Sequence, residues 1–241
     1  KRIDMKKVVL TGGSAGIGKA INLFLLRKGY EVLFTFNNSS QSANEIIAEF
    51  PNAKAFQIDF SNPEQIHNFL NEIQGFKPNI LINNFYSGTF IDTYFHKTES
   101  DKFLADFQTN VIPTLQITQE CIKIFRKEKF GRIINILSSS LKSPAMGTSV
   151  YNANKAYLLQ MNKSWASENV KFGITSNSIS PAFTLTDFHK NMDERQVENI
   201  LAMYPLKNNL EGKDVAEFVE LCLNGGSHFN GNHVFLDASN S

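Results

Sequence analysis

Tyr151 and Lys155 stand four residues apart in Tyr-Asn-Ala-Asn-Lys, a spacing that puts both on one face of a helix. Such a pair can move a proton. Reduction of a carbonyl needs a donor for its oxygen as hydride reaches the carbon, and oxidation of the alcohol needs the matching base. A phenol titrates near ~10, too high for ready exchange at neutral pH. A neighbouring ammonium stabilises the phenolate and lowers that value, which makes Lys155 the partner the chemistry requires. The bare pattern is common in helices, so its meaning depends on what surrounds it.

The second feature is a glycine-rich turn, Thr11-Gly12-Gly13-Ser14-Ala15-Gly16-Ile17-Gly18, between an apolar run at Lys7–Leu10 and an amphipathic stretch at 17–27. Gly12 can turn sharply out of a strand, Gly16 lets backbone approach a pyrophosphate, and Gly18 permits close packing of helix on sheet. The helix N-terminus would offer free N–H groups and positive potential to phosphates. With a strand before it and a helix after it, the turn predicts a dinucleotide site that includes Ser14 and Ile17. A glycine-rich turn without a ligand is the alternative.

The spacing Thr-Gly-x-x-x-Gly-x-Gly resembles that of the short-chain dehydrogenase/reductase family, and the resemblance extends over essentially the whole chain. Ser138 lies thirteen residues before Tyr151, at the end of an apolar run at 132–137. It matches the family's catalytic serine, whose hydroxyl donates to the substrate oxygen; Ser139 and Ser140 adjoin it, and spacing selects Ser138. Asn110, in Gln108-Thr109-Asn110-Val111, matches a helix asparagine that bends its helix and orders a proton-relay water. The resemblance makes Asn110, Ser138, Tyr151 and Lys155 the catalytic set, with Lys155 also binding the nicotinamide ribose. Asp59-Phe60 matches the pair that contacts adenine. Asn83-Asn84 matches the start of the family's Asn-Asn-Ala-Gly, but Phe85-Tyr86 replaces Ala-Gly. Either bulky residues line the cofactor channel, or the loop is longer and Ser87-Gly88 takes the small-residue role. Pro181-Ala182-Phe183-Thr184-Leu185-Thr186 resembles the Pro-Gly segment over the nicotinamide, with Ala182 for glycine and with Pro181, Thr184 and Thr186 at the cofactor.

The second strand ends in Thr35-Phe36-Asn37-Asn38-Ser39, without the acid that serves the adenosine ribose in NAD-preferring sites. A carboxylate would repel a 2′-phosphate, whereas Asn37, Asn38 and Ser39 can donate to one. NADP(H) is therefore expected ahead of NAD(H), although Ala15 stands where many NADP-preferring relatives carry arginine. A polar loop capping the next helix is the other reading of these residues.

The tetrad spacing and the stretch 183–212 look most like bacterial 3-oxoacyl-acyl-carrier-protein reductases. That resemblance implies NADPH-dependent reduction of a β-keto thioester, with Lys127, Lys129 and Arg132 as a basic patch for an acidic acyl carrier protein. The family's second basic docking position would fall at Phe172. The 21 phenylalanines include Phe85, Phe90 and Phe95, with Tyr86 and Tyr94 beside them; Phe183, Phe188 and Met192 lie in a mobile lid expected at 183–212. Aromatic walls would suit an aryl or polyene acyl chain, as in specialised fatty-acid or polyketide-like pathways. A free ketone, sugar or steroid is the alternative substrate, and a non-catalytic dinucleotide sensor or scaffold the alternative class.

These residues need a scaffold. Strands are predicted at Lys7–Leu10, 31–36, 55–58, 80–82, 132–137, 175–179 and 233–236. Helices are predicted at 17–27, 41–50, 63–73, 101–127, 151–169 and 214–223. Near-continuous apolar strands alternating with helices describe an α/β fold: one Rossmann-like, doubly wound parallel sheet with helices on both faces, in a single domain spanning 1–241. Ligands then bind beyond the carboxyl ends of the strands. Lysine plus arginine number 24 against 23 acids, so nothing in the charge favours nucleic acid or an anionic membrane. Cys121 and Cys222 lack ligand spacing and read as buried thiols, and no metal is expected. With no apolar run of membrane-spanning length, a cytoplasmic enzyme is expected. The family's habit implies a homotetramer or homodimer through the 101–127 and 151–169 helices.

Overall fold

The computed structural model describes residues 6–88, 90, 93–184, 195, 206 and 210–239. Strand and helix alternate as β1 (Lys7–Leu10), α1 (Gly16–Arg27), β2 (Glu31–Phe36), α2 (Ser40–Glu49), β3 (Ala53–Gln57), α3 (Pro63–Phe76) and β4 (Ile80–Asn83). They continue as α4 (Ser100–Asn110), α5 (Ile112–Glu128), β5 (Gly131–Ile136), α6 (Ser149–Asn169), β6 (Ile174–Pro181), α7 (Gly212–Asn224) and β7 (His233–Leu236). The strands form one sheet in the order β3-β2-β1-β4-β5-β6-β7, and every pairing in it is parallel. The order reverses between β1 and β4, so the chain leaves these neighbours in opposite directions and opens a crevice at their carboxyl ends.

Side-chain alternation on the strands divides the core between two faces. Val8, Leu10, Val32, Phe34, Ile80, Ile82, Ile134 and Ile136 pack with Ile21 and Leu25 of α1 and Val215 and Val219 of α7. Val9, Leu33, Leu81 and Ile133 point the other way, onto Phe69 and Ile73 of α3, Ile117 and Phe125 of α5, and Leu158 and Trp165 of α6. The helix starts are set locally: at α3, the Asn62 side chain accepts from the amides of Glu64 and Gln65 while Pro63 occupies the first turn.

Two features differ from the sequence reading. The helix expected at 101–127 is two, α4 and α5, meeting at Val111. Pro113 has no amide hydrogen to continue the ladder, and the Thr114 hydroxyl bonds the Asn110 carbonyl at 2.8 Å, so the chain re-aims there. Strand β6 is buried along its length yet is not apolar. Its Ser176 amide donates to Asn230 Oδ1 at 2.9 Å, and Asn177 Oδ1 accepts from the Asn232 amide at 3.0 Å.

Arg132 is a correction to the expected basic patch. Only 8 % exposed, it donates from Nη1 to the carbonyls of Gly131 and Gly173 at 2.8 and 3.0 Å. Its guanidinium lies 4.4 Å from the Phe130 ring centre. As a strand residue it points with the pleat, away from solvent; Lys127 and Lys129 remain exposed. Phe172 is covered by the Arg126 guanidinium at 4.3 Å. Cys121 and Cys222 are free and buried. Among the described residues no helix is long and apolar enough to cross a membrane, and no group of three metal-ligating side chains occurs.

Candidate active site

The crevice begins at the glycine turn. Gly12 and Gly16 take φ values of 70° and 52°, the left-handed region that a side chain disfavours. Thr35 fixes the turn, accepting from the Gly12 amide on its hydroxyl and from the Gly13 amide on its carbonyl, each at 2.9 Å. The Asn84 side chain donates to the carbonyls of Thr11 and Gly12 at 3.0 and 3.1 Å. At Gly18, a Cβ would lie 2.0 Å from the Gly12 carbonyl oxygen and 2.5 Å from Asn84 Nδ2. Gly18 therefore admits the helix onto the turn itself as well as onto the sheet. Gly18→Ala is expected to cost about 3 kcal/mol of stability and at least about tenfold in dinucleotide affinity; thermal melts and a fluorescence titration measure both.

Beyond the turn lies a cavity of about 780 Å³. Of the predicted cofactor residues, Gly12, Ser14, Gly16, Ile17, Gly18, Asn37, Asn38, Ser39, Phe60, Pro181 and Thr184 line it. Ala15, at the helix N-cap, supplies no side-chain cap, and the first turn of α1 carries no acid, so its amides face the cavity in a positive setting. Ser39, at the α2 N-cap, makes no capping hydrogen bond, which sets aside the purely capping role for that hydroxyl. Thr186, Phe188 and Met192 lie outside the described residues, as does most of 183–212.

Three predicted residues do not line the cavity. Asn83 is the last residue of β4 and turns below the sheet, where Nδ2 donates to Asn135 Oδ1 at 2.8 Å and Thr118 Oγ1 at 3.0 Å. Asn84, one residue on, takes the cavity side. Asp59 lies between the lining residues Ile58 and Phe60, but its carboxylate accepts from the amide and hydroxyl of Ser61 at 2.8 and 2.7 Å, which lowers its pKa. Asn110 is buried, accepting from the Ser87 amide at 2.7 Å and donating to the Ser87 carbonyl at 3.0 Å. It braces the loop after β4, and its side chain also donates to the Asp106 carbonyl and carboxylate at 3.2 and 3.1 Å.

Ser138, Tyr151 and Lys155 converge on the cavity. Ser138 follows β5, while α6 carries Tyr151 and Lys155 one turn apart. The Ser138 hydroxyl is within hydrogen-bond range of the Tyr151 phenol and accepts from Ser140 Oγ at 2.8 Å. Burial pushes the Tyr151 phenol up to about 12, opposed by the Ser138 hydrogen bond. Burial brings Lys155 down to about 8, and its ammonium donates to the Ile136 carbonyl at 3.0 Å. A lysine near 8 still carries its proton at neutral pH, as a role beside a phenolate demands.

In the loop after β4, Phe85 and Tyr86 line the cavity together with Ser87. The Tyr86 ring meets Tyr151 edge-on at 4.7 Å, and Phe90 does so at 5.1 Å. Tyr86 donates to Asp106 at 2.6 Å, and the same carboxylate oxygen accepts from Asn154 at 2.7 Å and Asn110 at 3.1 Å. Asp106 and Asn154 escaped the sequence reading, though each has a signal: Asp106 precedes Asn110 by one helical turn, and Asn154 lies inside the Tyr-x-x-x-Lys motif. Asp237 also lines the cavity, 6 % exposed and paired with Lys142 at 3.3 Å. It arrives there because β7 pairs with β6, a contact between distant segments that no local pattern announces.

The chain matches the family described as short chain dehydrogenase over residues 6–197. It is 32 % identical over 219 residues to an acetoacetyl-CoA reductase of Shinella zoogloeoides, covering 89 % of this chain and 90 % of the relative. To a 3-oxoacyl-[acyl-carrier-protein] reductase of Synechocystis sp. it is 30 % identical over 214 residues, covering 86 % and 85 %. Among solved structures it is similar to a 4-hydroxyisoleucine dehydrogenase complexed with NADH, at 26 % identity and a TM-score of 0.86, with 97 % of each chain covered.

Proposed function

The chain belongs to the short-chain dehydrogenase family of oxidoreductases, and from that premise we propose that it reduces a 3-oxoacyl thioester to the secondary alcohol with NADPH. The observation that carries this reading is the convergence of Ser138, Tyr151 and Lys155 on a cavity that opens onto the glycine turn. The residues fit a dinucleotide. Gly18 keeps the turn closed where a Cβ would strike the Gly12 carbonyl, and the uncapped α1 amides suit a pyrophosphate. Asn37, Asn38 and Ser39 sit at the rim as donors with no carboxylate among them, which supports a 2′-phosphate and so NADP(H) over NAD(H).

When bound, the reduced nicotinamide supplies the hydride. The Ser138 hydroxyl donates to the substrate oxygen and holds the carbonyl near Tyr151, whose phenol delivers the proton. Lys155 binds the nicotinamide ribose and stabilises the phenolate that remains. Asn110 acts on this centre through the Ser87 loop and the turn between α4 and α5. Two relatives named for acyl-thioester substrates support the substrate class. Exposed Lys127 and Lys129 suit an acidic carrier protein.

Oxidation of NADPH by acetoacetyl-CoA, followed by absorbance beside carrier-bound 3-oxoacyl substrates, simple ketones, sugars and steroids, tests the reading. Turnover with the thioesters should exceed that with the other carbonyls by at least about tenfold in kcat/KM. Tight NADPH binding with no turnover of any carbonyl would sink it in favour of a sensor. A homodimer or homotetramer is part of the proposal, since α4 to α6 and the segment before them leave Phe95, Leu104, Ile112 and Tyr157 exposed at 71, 59, 37 and 40 %. Mass by light scattering measures it.

A further inference from the structure

We infer that Tyr86, where the family carries glycine, is a positioning residue: its ring, anchored through Asp106, forms one wall of an aromatic cage that holds the Lys155 ammonium beside Tyr151. The inference rests on the reading that Tyr151 and Lys155 transfer the proton. Lys155 Nζ lies 5.3 Å from the Tyr86 ring centre and 5.6 Å from that of Tyr151, with the Ile136 carbonyl 3.0 Å away. The groups that face it are therefore Tyr86 from the loop after β4, Tyr151 from α6 and a backbone carbonyl of β5. Among the described residues no carboxylate pairs with it; Asp106, on α4, is joined to Tyr86 through the hydroxyl. A ring face stabilises a desolvated ammonium, so the cage supports the charged form that burial opposes.

The two tyrosines are not interchangeable. The Tyr86 hydroxyl is committed to Asp106 at 2.6 Å, and burial together with that carboxylate raises its pKa, so it keeps its proton. The Tyr151 hydroxyl meets Ser138 instead. Asn154, one residue before Lys155, donates to the same Asp106 oxygen at 2.7 Å, so a single carboxylate registers the Tyr86 loop against the helix that carries the catalytic pair. Asn110 joins the same oxygen from the end of α4.

The test is the pH profile of kcat for alcohol oxidation, which rises as Tyr151 loses its proton. In Y86L the ring is gone, the ammonium is less favoured, and the midpoint should move up by about half to one pH unit. Y86F keeps the ring and loses only the Asp106 bond. Its midpoint should stay in place while kcat falls by about threefold. Melting curves and NADPH titrations accompany each variant, and if Y86L does not fold, Y86M, equally without a ring face, replaces it. An unmoved midpoint in the ring-less variant overturns the inference, as does an equal shift in Y86F, which would make the hydroxyl the agent. Full turnover in Y151F would instead overturn the parent reading, whatever Tyr86 does.

Discussion

Replacing Tyr151 with phenylalanine should lower kcat by about 10²–10⁴-fold while NADPH binds within about threefold of the unaltered protein. The substitution is a clean one because the ring stays. Tyr151 is 9 % exposed, clasped edge-on by Tyr86 and Phe90 at 4.7 and 5.1 Å, and phenylalanine keeps both contacts. Only the hydroxyl that meets Ser138 is removed; Ser138 keeps the bond it accepts from Ser140 at 2.8 Å, and being half-buried on the cavity wall its own O–H is not sealed away from solvent. The loss should appear in kcat and kcat/KM equally, since the proton is needed in the transition state and not for binding. Stopped-flow turnover of acetoacetyl-CoA with NADPH, beside a fluorescence titration of the cofactor, measures both quantities. Turnover within about tenfold of the parent would show that another group supplies the proton. The nearest candidate, Tyr86, would then have to give up a proton that Asp106 and burial hold in place.

What the sequence shows and what it hides follow from how far apart the interacting residues lie. The Tyr151–Lys155 pair and the glycine turn are local: an i,i+4 spacing and a run of glycines state their own geometry, and both land on the cavity. The doubly wound parallel sheet is equally legible, because strands buried on both faces must be largely apolar. Misreadings occur where the pleat decides. Asn83 and Asn84 are adjacent and chemically identical, yet the end of β4 sends one below the sheet and the other to the turn. The same alternation takes Arg132 from the expected surface patch into the protein, where two carbonyls receive it. Strand β6 hides polar residues in its interior partly because partners come from far along the chain: the Ser176 amide and Asn177 Oδ1 meet Asn230 and Asn232, more than fifty residues away. Tyr86 is a different case. Its departure from the family's glycine is visible in the sequence, but its contact with Asp106 joins a loop to a helix twenty residues further along the chain, which no local pattern announces.

Lys155→Met should separate function from stability in one protein. Turnover should fall by about 10²–10³-fold, and the pH midpoint for alcohol oxidation should rise, because the phenolate of Tyr151 loses the cation that favours it. Affinity for the nicotinamide ribose falls as well, so KM for the cofactor rises with the loss in kcat. Stability should move the other way. Burial holds the folded-state value of Lys155 near 8 against an ordinary 10.5, a difference worth about 3 kcal/mol if none is relieved by relaxation. The unfolded chain therefore binds the proton more tightly than the folded one, and below pH 8 the full cost is present. As pH climbs from 8 towards 10.5 the cost fades, since the amine is then neutral in both states. Methionine fills much the same space without charge, so K155M should melt higher at pH 7 by about 3 °C or more, with the advantage shrinking above pH 8. Calorimetry at pH 7 and pH 10 reads the sign directly. A lower melting temperature at pH 7 would mean that the Ile136 carbonyl and the rings of Tyr86 and Tyr151 already compensate the buried ammonium in full. A higher one would mean that the chain keeps a destabilising charge in its interior because the phenol beside it cannot work without one.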